Sequence, residues 1–188
     1  NYIKKEFPNA EVLKKDFLEI NLEESGVGRC VSNIPFEITS DILEKLGKAQ
    51  IQSALIVQDE LADKVVAEPG DKNYGIATIR AQYYFLPVKL RTINSSYFYP
   101  EPEVDAAILK LYPNKDRHSV EDEQEFFELA KALFTHKRKK LRNSFVDVRH
   151  ILNYEKSEAK EIRDELPYSE KRVNNLGIKE LAEVAEHL

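Results

Sequence analysis

A single cysteine, Cys30, leaves this chain no partner for an internal disulfide and no thiolate cluster for zinc. Such usage suits a reducing compartment, and a cytoplasmic protein is expected. Cys30 falls in a predicted strand, where it reads as a small apolar packing residue rather than a reactive thiol. Methionine is absent altogether, so residue 1 is not expected to be a natural start. No apolar run approaches the roughly 18 residues that a membrane span needs, and no segment has the make-up of a signal peptide. The six glycines are scattered, and no G-x-G-x-G follows a strand, so a Gly-rich nucleotide loop is lacking from these 188 residues. The four histidines, at 118, 136, 150 and 187, form no metal-ligand spacing, and no metal is expected.

What is present describes an ordinary soluble domain, long enough for one core and a small appendage. A net charge of −5 argues against a generally basic nucleic-acid binder, but the charge is unevenly spread. Between Thr135 and His150, the cations Lys137, Arg138, Lys139, Lys140, Arg142 and Arg149 face only Asp147. Acidic residues crowd the stretches Glu121 to Glu128 and Glu155 to Glu170. The pattern is a basic patch on an acidic body.

Residues 1–8 read as the tail of a helix. Ala10 to Leu13 reads as a short strand leading to Asp16 and Phe17, and Gly28 to Val31 as another that delivers Asn33 to its carboxyl end. Ser40-Asp41 can cap a helix with Ile42, Leu43 and Leu46 on its apolar face and Gly47 as its stop. The mostly apolar run Ile51 to Val57 fits a strand buried on both faces. Leu61, Ala62, Val65 and Val66 stand at helical spacing after Asp59, with Pro69-Gly70 as terminator, and Gly75 to Phe85 is a further predicted helix. Pro87 to Ile93 and Val104 to Leu111 read as an antiparallel pair joined by an aromatic, Pro-containing loop. Beyond the polar linker from Tyr112 to Arg117 the pattern is wholly helical, with stripes Phe126, Leu129, Ala130, Leu133, Phe134 and Ile178, Leu181, Ala182, Val184, Ala185. The order predicts an α/β sheet with helices on both faces, residues 1–112, followed by a small all-helical domain, residues 113–188.

The chemistry concentrates in Ser32-Asn33-Ile34-Pro35-Phe36. An aromatic amine such as adenine N6 is a poor nucleophile, because its lone pair is delocalised into the ring. An Asn oxygen and a neighbouring backbone carbonyl can accept its two N–H hydrogens and turn the lone pair outward. Proline fixes the backbone between them, and the aromatic offers a face for a base. Taken alone, the same residues also suit a stiff turn whose Phe36 plugs the core.

Downstream stand Gln58-Asp59-Glu60-Leu61-Ala62-Asp63-Lys64, Ala67-Glu68-Pro69-Gly70, Gln82-Tyr83-Tyr84 and Phe98-Tyr99-Pro100-Glu101-Pro102-Glu103-Val104-Asp105. In this order and spacing the chain, from Asn1 to at least Arg142, resembles the KsgA/Erm family of rRNA adenine N6,N6-dimethyltransferases. The KsgA branch, archaeal forms included, is nearest. The resemblance implies a Rossmann-like S-adenosylmethionine-dependent methyltransferase sheet, here without its first strands. It also implies dimethylation of two adenosines in small-subunit rRNA during ribosome biogenesis. Asn33 and Ile34 would hold the target amine, Pro35 would set the turn, and Phe36 and Phe98 would sandwich the base. Asp16, with Phe17 beside it and Asn33 at the boundary, would take the cofactor adenine, although the same Asp16 could simply cap a turn.

Lys137, Arg138, Lys139, Lys140 and Arg142 are the candidate rRNA-backbone contacts, with a solvated helix face as the plainer alternative. Tyr83, Tyr84, Tyr97 and Tyr99 are not assigned. The family places its Gly-rich loop and ribose-binding carboxylate upstream of residue 1, so this chain is expected to be a truncated, inactive piece acting as a monomer. Competing expectations are a non-catalytic ribosome-assembly factor, an Erm-type enzyme acting on large-subunit rRNA, and, less well matched, a DNA adenine methyltransferase.

Overall fold

The computed structural model describes residues 2–188. Asn1, which the expected first helix included, lies outside the described residues. Helix α1 (Tyr2–Glu6) buries none of its residues. Strand β1 (Arg29–Asn33) leads through a 3-10 turn to α2 (Thr39–Lys48), then β2 (Gln52–Gln58), α3 (Asp59–Val65), α4 (Ile76–Tyr84), β3 (Phe85–Ile93) and β4 (Ala106–Pro113). The rest is helical: α5 (Glu123–Phe134), α6 (Leu141–Val148), α7 (Lys156–Ile162) and α8 (Ile178–His187).

Among the described residues the four strands form one sheet in the order β1-β2-β4-β3. β1 and β2 run parallel, with Asn33 opposite Ile56. β4 is antiparallel to both β2 and β3, so β3 points the same way as β2. Helices therefore do not cover both faces as expected. Both crossovers, β1 to β2 and β2 to β3, step in the same direction across the sheet. Right-handed connections then carry α2, α3 and α4 to a single face. That face is sealed by Ser53, Leu55, Val57, Leu109, Leu111 and Phe85, all buried. The opposite face keeps Val31, Leu86, Val88 and Tyr112 exposed, which fits the alternation of strand side chains.

Three further expectations are corrected. Ala10 to Leu13 forms no strand, and Val12 and Leu13 are exposed; an extended segment has no stability without a partner ladder. Ser40-Asp41 does not cap α2, which starts at Thr39 straight out of the preceding turn, with Ile38 at the cap position. Gly47 does not stop α2 but lies inside it. A Cβ there would stand 2.5 Å from Tyr84 Cγ, so the missing side chain lets α2 and α4 approach closely. Cys30 is half-buried, because β1 is an edge strand, and burial pushes its thiol up.

The core continues from the sheet into the C-terminal helices. Tyr83 and Tyr84 of α4 meet Phe126 and Phe127 of α5 with centroids 5.3 to 6.0 Å apart. The Tyr84 hydroxyl donates to Glu123 at 2.6 Å, and the Tyr74 hydroxyl to the Leu176 carbonyl at 2.7 Å.

Candidate active site

Parallel pairing sets the carboxyl ends of β1 and β2 side by side, the end at which open α/β sheets bind ligands. The antiparallel β3–β4 pair returns its connecting loop to this same edge, since Gln58 faces Ala106 and Ile93 faces Ala106 from the other side.

The first wall is the turn after β1. Ile34 is 5% exposed and anchors it in the core, while Asn33 stays exposed at the rim. Pro35 holds an extended conformation (φ −60°, ψ 131°) ahead of the 3-10 turn Phe36–Ile38. The buried Thr39 hydroxyl then reaches back to the carbonyls of Phe36 (3.1 Å) and Pro35 (3.3 Å). Such a back-bond satisfies carbonyls that the incoming turn would otherwise leave open.

The second wall is the loop of residues 94–105. Asn94 accepts from the Ser96 amide at 3.1 Å and caps the 3-10 turn Ser95–Tyr97. The Asp105 carboxylate accepts from the Ser95 amide at 2.9 Å, which closes the loop at its base. The Ser95 hydroxyl bonds Glu101 at 3.0 Å, and the Asp105 carbonyl accepts from the Asp59 amide at 3.0 Å. Between the two walls lies an open pocket of about 290 Å3 lined by Asn33, Ile34, Pro35, Phe36, Phe98, Tyr99, Pro100 and Pro102. Every residue expected around the target amine is therefore in one place, although Phe98 is remote in sequence.

Beside the loop, Lys89 bridges Asp59 at 2.8 Å and Asp63 at 2.6 Å, and the Thr92 hydroxyl donates to Asp59 at 2.6 Å. Partial burial raises the Asp59 carboxyl, but the hydrogen bonds from Lys89 and Thr92 outweigh it and hold the group below its ordinary value. Partial burial lowers Lys89, and the two carboxylates more than reverse that. Asp59 is thus a committed anion that braces the loop, not a proton acceptor tuned for neutral pH. Thr39 and Lys89 were missed in the sequence, and Asp105 stood in the motif after Phe98 with no role assigned. Thr39 alone had a local signal, a hydroxyl residue three and four positions after the carbonyls it satisfies. Asp105 and Lys89 needed strand register.

Asp16 is exposed and does cap a turn, accepting from the Leu18 amide at 2.9 Å at the start of the 3-10 turn Phe17–Glu19. A carboxylate has further acceptor sites, so this bond leaves room for a ligand amine. Phe17 packs half-buried against the core, and Lys45 of α2 donates to the Leu18 carbonyl at 2.7 Å, which holds the turn beside α2.

Of the candidate cations, the adjacent run Lys137 to Lys140 is not on a helix, whereas Arg142 stands in the first turn of α6. The run occupies the turn between α5 and α6, where self-repulsion on a helix surface does not arise. Lys137 donates to the carbonyls of Lys72 (3.0 Å) and Tyr74 (2.9 Å). Lys139 pairs with Asp147 at 2.6 Å, and Lys140 and Arg142 both pair with Glu170 at 2.5 Å. Arg138 is exposed and lends only its carbonyl, to Arg172 at 2.8 Å. Deeper clefts lie among the C-terminal helices, one of about 320 Å3 lined by Glu125, Leu129, Ile151 and Tyr154 among others. These clefts bring together none of the base-handling groups of the sheet edge.

Comparison with known proteins gives a consistent picture. A family model described as "Ribosomal RNA adenine dimethylase" matches residues 3–185. A protein of Methanosarcina acetivorans named "Probable ribosomal RNA small subunit methyltransferase A" is 36% identical over 183 residues, covering 96% of this chain and 66% of the relative. The chain thus spans just under two thirds of the length of that curated relative. The crystal structure of a dimethyladenosine transferase from Plasmodium falciparum superposes with a TM-score of 0.81 at 26% identity, covering 97% of this chain and 74% of that one. The 23S rRNA methyltransferase ErmE, at 21% identity, covers 100% of this chain and 75% of its own with a TM-score of 0.61, a likeness of fold. The sheet is that of the Rossmann-like methyltransferases.

Proposed function

This chain belongs to the ribosomal RNA adenine dimethylase family, and from that premise we propose that it is the base-recognising part of an S-adenosylmethionine-dependent enzyme. The enzyme would dimethylate N6 of two adenosines in small-subunit rRNA. The observation that carries this reading is the convergence of Asn33, Ile34 and Phe36 with Phe98 around one pocket.

The Asn33 side-chain oxygen and the Ile34 carbonyl accept the two N6 hydrogens, so the amine's lone pair turns out of the ring plane. Pro35 keeps these acceptors at a fixed separation, and Thr39 locks the turn behind them. Phe36 and Phe98 hold the ring from its two faces, which requires an adenine already unpaired or swung out of its helix. S-adenosylmethionine, when bound, supplies an electrophilic methyl group on a positively charged sulfonium. Asp16 and Phe17 would hold its adenine. Methyl transfer would leave the donor as a neutral thioether and the nitrogen as an ammonium that can release its proton to water. The residues therefore act by alignment and by exclusion of solvent rather than as a strong base.

Residues 113–188, with Lys137 to Lys140 of the turn and Arg142 at the start of α6, are assigned to the rRNA backbone. The pairs of Lys139, Lys140 and Arg142 are exposed ones, worth about 0–1 kcal/mol each, and a phosphate can replace their carboxylates. Lys137 contributes by fixing the loop at Lys72 to Tyr74. Among the described residues no helix is long and apolar enough to cross a membrane. The assigned setting is a monomer in the cytoplasm, acting on the pre-ribosomal small subunit.

In the full protein carrying this sequence, Asn33→Ala should lower methyl transfer to small-subunit rRNA by about 10²–10³, the usual loss for one transition-state hydrogen bond. Cofactor affinity should stay within a few-fold. Near-normal turnover would sink the assignment of Asn33. The alternative reading, an rRNA-binding assembly factor without catalysis, is tested by calorimetry of the 188-residue chain with S-adenosylmethionine. Retained rRNA binding with no S-adenosylmethionine binding at micromolar concentration would favour the assembly-factor reading. A micromolar dissociation constant would return the chain alone to the catalytic reading.

A further inference from the structure

The four tyrosines left unassigned in the sequence divide into two kinds. Tyr83 and Tyr84 are 1% exposed and pack edge-to-face at 5.0 Å inside the core. Tyr97 and Tyr99, on either side of Phe98, are 83% and 102% exposed. Phe98 itself is half-buried and lines the pocket, Tyr99 stands at the pocket's open border, and Tyr97 lies outside its lining. Cross-strand packing, the ordinary employment of such rings, does not account for Tyr97 or Tyr99.

The backbone beneath the rings is braced rather than slack. Asp105 clasps Ser95, Glu101 holds the Ser95 hydroxyl, Asn94 caps the turn, and Pro100 and Pro102 fix two φ angles. Two phenol faces are therefore held in water beside a pocket suited to one base. The loop also carries Glu101 and Glu103, whose charge repels phosphate, so a nucleic-acid partner would be met here by its base faces. Base stacking on aromatic rings tolerates any base, since each has a π face.

We propose that Tyr97 and Tyr99 are stacking platforms for unpaired nucleotides flanking the base held between Phe36 and Phe98. The preferred substrate is then a single-stranded RNA segment, not an isolated nucleotide or a continuous duplex. The proposal rests on the reading of the pocket as a base site.

The chain has no tryptophan and nine tyrosines, so tyrosine fluorescence follows binding, and comparison with the Tyr97 and Tyr99 variants assigns the change to these rings. The probes are an unpaired oligoadenylate octamer and the same octamer in a duplex, titrated across a salt series into wild type, Tyr97→Ala, Tyr99→Ala, Tyr99→Phe and Tyr99→Leu. Wild type should prefer the unpaired octamer. Each Ala variant should lose roughly five- to a hundredfold in affinity, with the salt slope unchanged because no phosphate contact is removed. Tyr99→Phe should bind within about twofold of wild type, whereas Tyr99→Leu should resemble Tyr99→Ala. Circular dichroism should show all variants folded, since the rings touch little of the core.

Ala variants that bind as well as wild type would overturn the proposal, as would a loss that flattens the salt slope or a Leu variant as good as Phe. If the Ala variants instead dissolve a self-association seen by sedimentation, the rings are a protein contact and the proposal fails. Binding of unpaired RNA that ignores both rings removes this inference and leaves the pocket reading standing. Absence of any RNA binding by wild type removes the proposal and counts against RNA recognition by this chain.

Discussion

The pocket edge of the sheet and the cation turn between α5 and α6 are built on opposite principles. At the pocket, charge is kept behind the working surface. Ile34 anchors the turn in the core, Thr39 and the backbone close it, and Lys89 bridges Asp59 and Asp63 beside the loop. At the cation turn the charges are the surface, and carboxylates that water can reach hold them. The first region is set by packing and resists salt. The second is set by exposed pairs that salt screens within about 10 Å at 0.1 M. Base choice should therefore reside in the first and backbone affinity in the second.

The sharpest way to break that contrast is to attack each anchor. Ile34→Ala empties the buried support of the Asn33 turn and should cost about 2–4 kcal/mol of stability, read by urea unfolding. Lys139→Ala should cost less than about 1 kcal/mol, as exposed pairs do. Comparable losses would mean the two regions are not built differently.

A smaller effect sharpens the functional side. Replacing Lys139 and Lys140 together with Ala should weaken binding to small-subunit rRNA. It should also lower the log–log salt slope by roughly 0.7 to 0.9 per lost contact. The adenosines modified by the full protein should not change. An unchanged slope would reduce these residues to a solvated surface, and new target adenosines would show that the turn selects bases as well.

The smallest expected effect is on pH. Asp59 is held below its ordinary 3.8, so its contribution is present above that value and lost as pH falls through the folded one. Lys89 is held above its ordinary 10.5, so its contribution is present below that value and lost as pH rises through the folded one. Both side chains are partly exposed, which limits the effect to below about 1 kcal/mol. Thermal unfolding should be level from about pH 5 to 9, and the fall below pH 4 should be shallower in Asp59→Asn. An equally steep fall in that variant would remove the Lys89 cluster from the account.

Much of this was legible in the residues because it is local. The β1 turn, β2, α3, α4 and the β3–β4 pair followed from hydrophobic period and breakers, and the motif turn from the residue types at Asn33 to Phe36. The misreadings share a cause. Gly47 carries no local mark that distinguishes a helix stop from a close helix crossing, and only Tyr84 opposite decides it. Ala10 to Leu13 has a strand's composition, but a strand exists by pairing. Four adjacent cations suggested a helix face because nothing nearby breaks helix propensity, whereas Glu170 and Asp147 arrive from later in the chain. Asp105 and Lys89 act through partners that only register brings together.

The uncovered face of the sheet has a consequence for handling the chain in solution. Val31 is 85% exposed on the edge strand, with Leu86 and Val88 bare on β3. An apolar sheet face beside an unpaired edge is a template for adding strands from other molecules. One check on such growth in the middle of that face is Lys110, opposite Val88, whose ammonium lies 4.8 Å above the Tyr112 ring. Arg29 and Arg91 share that face and its charge, so replacing Lys110 by Ala should raise the tendency of the chain to self-associate at high concentration, read by light scattering.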